Sequence, residues 1–78
     1  MSGRKVELSR REEQMLKLLV RGATTSEIAA NLSTSGGTVR VYLHLLYRRL
    51  GVPNKTSAAV WYMRRQYSRG QVVRSRPT

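Results

Sequence analysis

A chain of 78 residues makes one small domain at most; at this length only about 60% of the unfolded surface can be buried, which leaves no room for a catalytic cleft between lobes. Fifteen Lys and Arg against four Asp and Glu give a formal net charge of +11, while 40% hydrophobic residues suffice for a folded core. With no cysteine and a single His there is neither a disulfide framework nor a set of metal ligands, and no cofactor is expected.

Residues 1–7 read as a flexible arm. Ser9 followed by Glu12 fits a capping box, in which the hydroxyl accepts from a first-turn amide while the carboxylate reaches back. Met15, Leu16, Leu18, Leu19 and Val20 then supply a buried face over about residues 10–21, and Gly22 stands where a left-handed residue ends a helix. Thr24 with Glu27 repeats the cap. Ile28, Ala29 and Leu32 form the apolar face of a short second helix, about 25–32, and the small Ala29 and Ala30 let another helix approach. Ser33-Thr34-Ser35 breaks the pattern, with Ser35 as the next N-cap.

A third helix is predicted from about Gly36 to Leu50, closed by Gly51 and by Pro53 beyond it. Its apolar positions Val39, Leu43, Leu46 and Leu50 make one buried stripe. Turning 100° per residue, the opposite face carries Gly37, Val41, His44 and Arg48, with Arg40 and Leu45 at its margins. Asn54 can cap a fourth helix, about 55–66, bearing Ala58, Ala59, Val60, Trp61, Tyr62 and Met63. Residues 67–78 read as a basic, flexible tail. No strand-period alternation, repeat or run of roughly 18 apolar residues appears, and Met1 to Lys5 lead into no long apolar run, so no signal peptide is expected. The expected fold is all-α, a four-helix domain over 8–66.

The acids are Glu7, Glu12, Glu13 and Glu27, so Arg40, Arg48, Arg49, Lys55, Arg64, Arg65, Arg69, Arg74 and Arg76 stand unopposed in the second half. A polyanionic partner would relieve that self-repulsion. Duplex DNA, RNA and an anionic membrane all qualify, and a basic surface kept for solubility is the plain alternative. A short capped helix, a tight turn and a longer helix from Thr24 to Leu50 is also the helix-turn-helix layout. Gly37, Arg40, Val41 and His44 on the outward face of the third helix suit close backbone approach, guanine, a thymine methyl and an acceptor edge. A merely solvated helix would mix Glu with Lys there.

Across about residues 8–60 the chain resembles the DNA-binding domain of LuxR/NarL/GerE-type regulators. The family's opening L-T-x-R-E-x-E-V-L is met by Leu8-Ser9-Arg10-Arg11-Glu12-Glu13-Gln14-Met15-Leu16, continuing through Leu18 to Gly22. Its S-x-x-E-I-A-x-x-L is matched by Thr24, Glu27, Ile28, Ala29 and Leu32, and its S-x-x-T-V-K-x-H by Ser35, Thr38, Val39, Arg40 and Tyr42. The closing motifs appear as Arg49-Leu50-Gly51-Val52 and Asn54-Lys55-Thr56. The departures are Gln14 for a Glu, Thr34 for an apolar turn residue, which should loosen the packing of the second and third helices, Tyr42 for a His, and Gly36-Gly37. The glycines either let the helix N-terminus sit close to DNA or mark a frayed first turn.

The resemblance implies base contacts at Arg40, Val41, His44 and Gly37, and backbone contacts or nearby supports at Thr25, Ser35, Thr38, Tyr42, Arg48 and Lys55. For Tyr42 a structural role is equally open. It also implies subunit pairing through the last helix, making Ala58, Trp61, Tyr62 and Arg65 candidates for a homodimer seam, although Trp61, Tyr62 and Met63 read at least as well as core. The expected function is a sequence-specific transcription regulator on double-stranded DNA, cytoplasmic and nucleoid-associated. RNA polymerase or a longer LuxR-type regulator are further candidate partners. With no receiver or ligand-binding module ahead of the domain, control by abundance or by partners is expected.

A different class of reading is an interaction protein that pairs with longer LuxR-type regulators and blocks them; the last-helix face motivates it, while Arg40 and the charge of +11 oppose it. A membrane-active peptide fits poorly, because the charges do not follow one amphipathic helix. No constellation of paired carboxylates, Ser-His or Cys-His supports an enzyme.

Overall fold

The structure, a computed structural model, describes residues 6–68, which form α1 (Arg10–Val20), α2 (Thr25–Leu32), α3 (Gly36–Leu50) and α4 (Lys55–Ser68). Each helix starts at the side chain that the sequence marks for it. Ser9 Oγ accepts the Glu12 N–H at 3.1 Å, and Glu12 Oε1 accepts the Ser9 N–H at 2.9 Å. Thr24 and Glu27 repeat that reciprocal pair at 3.1 and 2.8 Å. Ser35 Oγ accepts from the Thr38 N–H at 3.1 Å, and Asn54 Oδ1 from the Ser57 N–H at 2.9 Å. A cap contributes about 1 kcal/mol. For α2, with only 8 residues, that matters, because so short a helix does not persist alone in water.

The helix ends are as local as their starts. Gly22 (φ +86°) and Gly51 (φ +73°) take the left-handed backbone that terminates α1 and α3. After Gly51 the chain wraps back, the Val52 N–H donating to the Tyr47 carbonyl at 3.0 Å. Ser33 is the one non-glycine residue with positive φ among the described residues, at φ 58° and ψ 47°. It makes the turn between α2 and α3 with its own N–H on the Ala30 carbonyl (3.2 Å) and that of Thr34 on Ala29 (2.9 Å). Thr34 itself is half-buried.

The helices close over one core. Met15, Leu16 and Leu19 of α1, Ile28 and Ala29 of α2, Val39, Leu43, Leu46 and Leu50 of α3, and Ala58 and Tyr62 of α4 are buried together. The principal pairings are α1 with α4, α2 with α3, and α3 with α4. Burying one such aliphatic side chain is worth about 1.5–3 kcal/mol, so this cluster holds α2 and α3 at a fixed mutual angle. Tyr62 fits because its hydroxyl donates to Glu13 Oε2 at 2.8 Å, which answers its polar end.

Some boundaries are corrected. α1 stops at Val20 with Arg21 as its cap, and α4 runs to Ser68, past the expected residue 66, so Tyr67 and Ser68 belong to the helix rather than the tail. Val6 and Glu7, expected in a loose arm, are docked. Arg65 Nη1 donates to the Val6 carbonyl at 2.9 Å, and Arg49 Nη2 to the Glu7 carbonyl at 2.6 Å. Arg49 also pairs with Glu12, Nε to Oε2 at 3.1 Å, so the end of α3 is tied to the start of α1. The remaining arm and tail residues, 1–5 and 69–78, lie outside the described residues.

Candidate nucleic-acid interface

The buried stripe of α3 decides what its other side can do. With Val39, Leu43, Leu46 and Leu50 anchored in the core, Gly37, Arg40, Val41, His44 and Arg48 are all exposed. Val41 keeps 58% of its surface in water and Leu45 keeps 54%. The four residues expected to contact bases therefore share one open side of one rigid helix. A shallow concavity beside it is lined by Arg40, Val41, His44 and Leu45 and by Thr25, the first residue of α2. Thr25 is thus brought to the same surface. Lys55 is exposed at the first turn of α4 and does not line that concavity.

Three of the supports expected around α3, namely Ser35, Thr38 and Tyr42, are tied into the protein. Ser35 Oγ accepts from the Thr38 backbone and donates to Thr38 Oγ1 at 3.0 Å, so both hydroxyls are oriented by the cap. Tyr42 is half-buried, and its hydroxyl accepts from Arg11 Nη1 at 3.0 Å. Gln14 donates from Nε2 to Asn31 Oδ1 at 2.8 Å, joining α1 to α2 through a neutral pair. Burial raises the Tyr47 hydroxyl above its ordinary value of 10.0 through desolvation. Gly36 and Gly37 meet no crowding: a Cβ at Gly36 would have nothing within 4 Å, and one at Gly37 only Ser35 Oγ at 4.0 Å.

The electrostatics are one-sided. Glu12 serves the α1 cap and Arg49, Glu13 takes the Tyr62 hydroxyl, and Glu27 serves the α2 cap. Neither α3 nor α4 carries a carboxylate side chain. Arg49 is paired with Glu12, but nothing on α3 offsets Arg40 and Arg48, and the field of the outward face is positive. No cluster of His, Cys, Asp and Glu that could hold a metal ion occurs among the described residues. No described helix is long and apolar enough to cross a membrane.

The four residues expected at the dimer seam differ in how they are placed on α4. Ala58 is 0% exposed and Tyr62 4%, both consumed by the core between α1 and α4. Trp61 is half-buried and packs on that core, and Arg65 lies 5.5 Å from its ring centroid while holding the Val6 carbonyl. Beyond its first turn, α4 presents Val60, Met63, Arg64 and Tyr67 to water. Arg11, exposed on α1, is the partner of Tyr42; the two lie 31 positions apart, and no local pattern signals such a pair.

Residues 6–62 match the family described as bacterial regulatory proteins, luxR family, also called GerE. YhjB of Escherichia coli (strain K12) is 45% identical over 53 residues, 68% of this chain and 26% of its own length. The CsgBAC operon transcriptional regulatory protein of the same organism is 39% identical over 54 residues, 69% of this chain and 25% of its own. The spore germination protein GerE of Bacillus subtilis (strain 168) is 39% identical over 57 residues, covering 73% of this chain and 77% of GerE. The chain thus spans about a quarter of the length of the first two relatives. It has no significant match among solved structures. With a four-helix helix-turn-helix fold and a family match over most of its length, the chain belongs to the luxR family of DNA-binding bacterial regulatory proteins.

Proposed function

We propose that the chain is a sequence-specific regulator of transcription that binds double-stranded DNA with α3 in the major groove. The observation that carries this is the outward face of α3, cationic and free of carboxylates, on a helix whose other side is locked in the core. In this reading Arg40 makes a bidentate pair with guanine, worth about 1–3 kcal/mol of discrimination. Val41 meets a thymine methyl, His44 an acceptor edge, and Gly37 lets the first turn approach closely. Thr25, Ser35, Thr38, Tyr42, Arg48 and Lys55 hold the phosphate backbone and set the register. The site of action is then the nucleoid.

A second copy of the chain completes the operator. Symmetric half-sites about one helical turn apart suit a two-fold pair. With Ala58 and Tyr62 internal, the seam falls on Val60, Met63 and Tyr67 of α4, with Trp61 at its edge. The basic C-terminal segment, including Arg69, Arg74 and Arg76, adds phosphate attraction that carries no sequence information.

Selection from a random duplex pool tests this reading, since it reports affinity, site symmetry and half-site spacing together. Arg40→Ala is expected to relax the sequence preference. Arg74→Ala should weaken all duplexes alike and lower the salt slope by about one unit. If both variants bind every duplex as the unaltered chain does, the reading is wrong.

A further inference from the structure

We propose that Leu45 is an additional specificity-determining residue, forming with Val41 an apolar strip that seats the C5 methyl group of a pyrimidine. This rests on α3 being the helix that enters the major groove. Around the helix, Leu45 lies about 40° from Val41, whereas Arg40 lies about 100° away on the other side. Leu45 is thus closer to the middle of the outward face than the arginine expected to read guanine. Its exposure of 54% and that of Val41, 58%, make them the large aliphatics that α3 leaves in water. Val39, Leu43, Leu46 and Leu50 are buried.

The surroundings select the partner. The strip is flanked by His44 and Arg48, within a chain of net charge +11. A fitting partner offers a small apolar group set inside a polyanion. In the major groove that group is the C5 methyl of thymine; 5-methylcytosine presents the same methyl at the same ring position. Four residues advance about 6 Å along a helix, and base pairs are stacked about 3.4 Å apart. With α3 lying along the groove, Val41 and Leu45 address methyl groups about two base-pair steps apart.

The test starts from the duplex that the selection prefers. Each thymine of a half-site is replaced in turn by deoxyuridine, which deletes the methyl alone. Two sensitive positions are expected, each weakening the unaltered chain about fourfold, as the loss of one buried carbon does. Leu45→Ala should abolish the sensitivity at one position and Val41→Ala at the other. Because Leu45 is more than half exposed, the alanine variant keeps its fold, which its thermal transition verifies. A further arm puts 5-methylcytosine opposite guanine at the Leu45-dependent position. Tighter binding than to cytosine there assigns the contact to the methyl whatever ring bears it; unchanged binding assigns it to thymine. The proposal is overturned if no thymine is Leu45-dependent, or if Leu45→Ala loses equally on thymine and deoxyuridine duplexes. A chain that binds no duplex at all removes the major-groove reading itself, and this one with it.

Discussion

Arg11 of α1 and Tyr42 of α3 meet across 31 positions of sequence: Nη1 donates to the Tyr42 hydroxyl at 3.0 Å, and the guanidinium carbon lies 5.2 Å from the ring centroid. The bond uses an oxygen lone pair and leaves the hydroxyl proton able to donate. Tyr42 is therefore a brace between helices whose hydroxyl still has a proton to give. The structural and phosphate-binding roles, alternatives on sequence grounds, are compatible in one side chain.

Two variants separate those roles. Tyr42→Phe keeps the ring under the guanidinium and removes the hydroxyl, so stability should fall by no more than about 1 kcal/mol. If the hydroxyl donates to a phosphate, duplex affinity falls severalfold while the salt slope stays the same, since no charge is lost. Arg11→Ala should lower that slope by about one unit. Binding isotherms across a salt series measure both. An unchanged slope in Arg11→Ala would mean that the guanidinium only braces the helices.

Capping explains why so much of the fold was legible. Ser9 with Glu12, Thr24 with Glu27, Ser35 with Thr38 and Asn54 with Ser57 are pairs three residues apart, so chain order alone brings them together. The outward side of α3 was equally legible, because helical rotation follows from the buried stripe. Contacts across the core were not. Tyr62 reaches Glu13 over 49 positions and Arg65 reaches Val6 over 59; an amphipathic α4 reads the same whether its apolar side faces α1 or another copy. The length of α4 was read short, although neither Gly nor Pro occurs between Lys55 and Arg69 to stop it.

Ser33 offers a test of the turn between α2 and α3. At φ 58° and ψ 47° its Cβ is crowded in a way that glycine avoids. Ser33→Gly should stabilise the domain by about 0.5–1 kcal/mol after the greater freedom of the unfolded glycine is deducted. For a domain of this size about 1 kcal/mol moves Tm by about 4–8 °C. Calorimetry decides it. A lower Tm would show that the serine side chain contributes more to the turn than its backbone strain costs.

Tyr47 sets an expectation at alkaline pH. Burial raises its ionisation above 10.0 in the folded chain, so above that pH the unfolded state has released a proton that the folded state retains. Stability then falls with rising pH, from the unfolded value up to the folded one. Below 10.0 both states keep the proton, and Tyr47 contributes no pH dependence. Urea titrations between about pH 9 and pH 11 should show the decline, and Tyr47→Phe should reduce it. An identical decline in the phenylalanine variant would assign the effect to other groups.

Gly37 gives a test in which stability and binding move in opposite directions. Neither Gly36 nor Gly37 has a positive φ, and a Cβ at either would meet open space or ordinary contact. Nothing inside the protein demands glycine in the first turn of α3. Gly37→Ala should therefore stabilise the helix by about 0.5 kcal/mol, less than an interior site would gain because the position lies near the end. If the backbone of that turn lies against a duplex, the new methyl intrudes on it, and affinity should drop about tenfold even as Tm rises; about 1.4 kcal/mol of lost contact suffices. A destabilised fold cannot produce that pair of results, so the loss would belong to the interface. Should Gly37→Ala gain stability and bind every duplex as well as the unaltered chain, the two glycines are a frayed turn and the close approach at Gly37 does not occur.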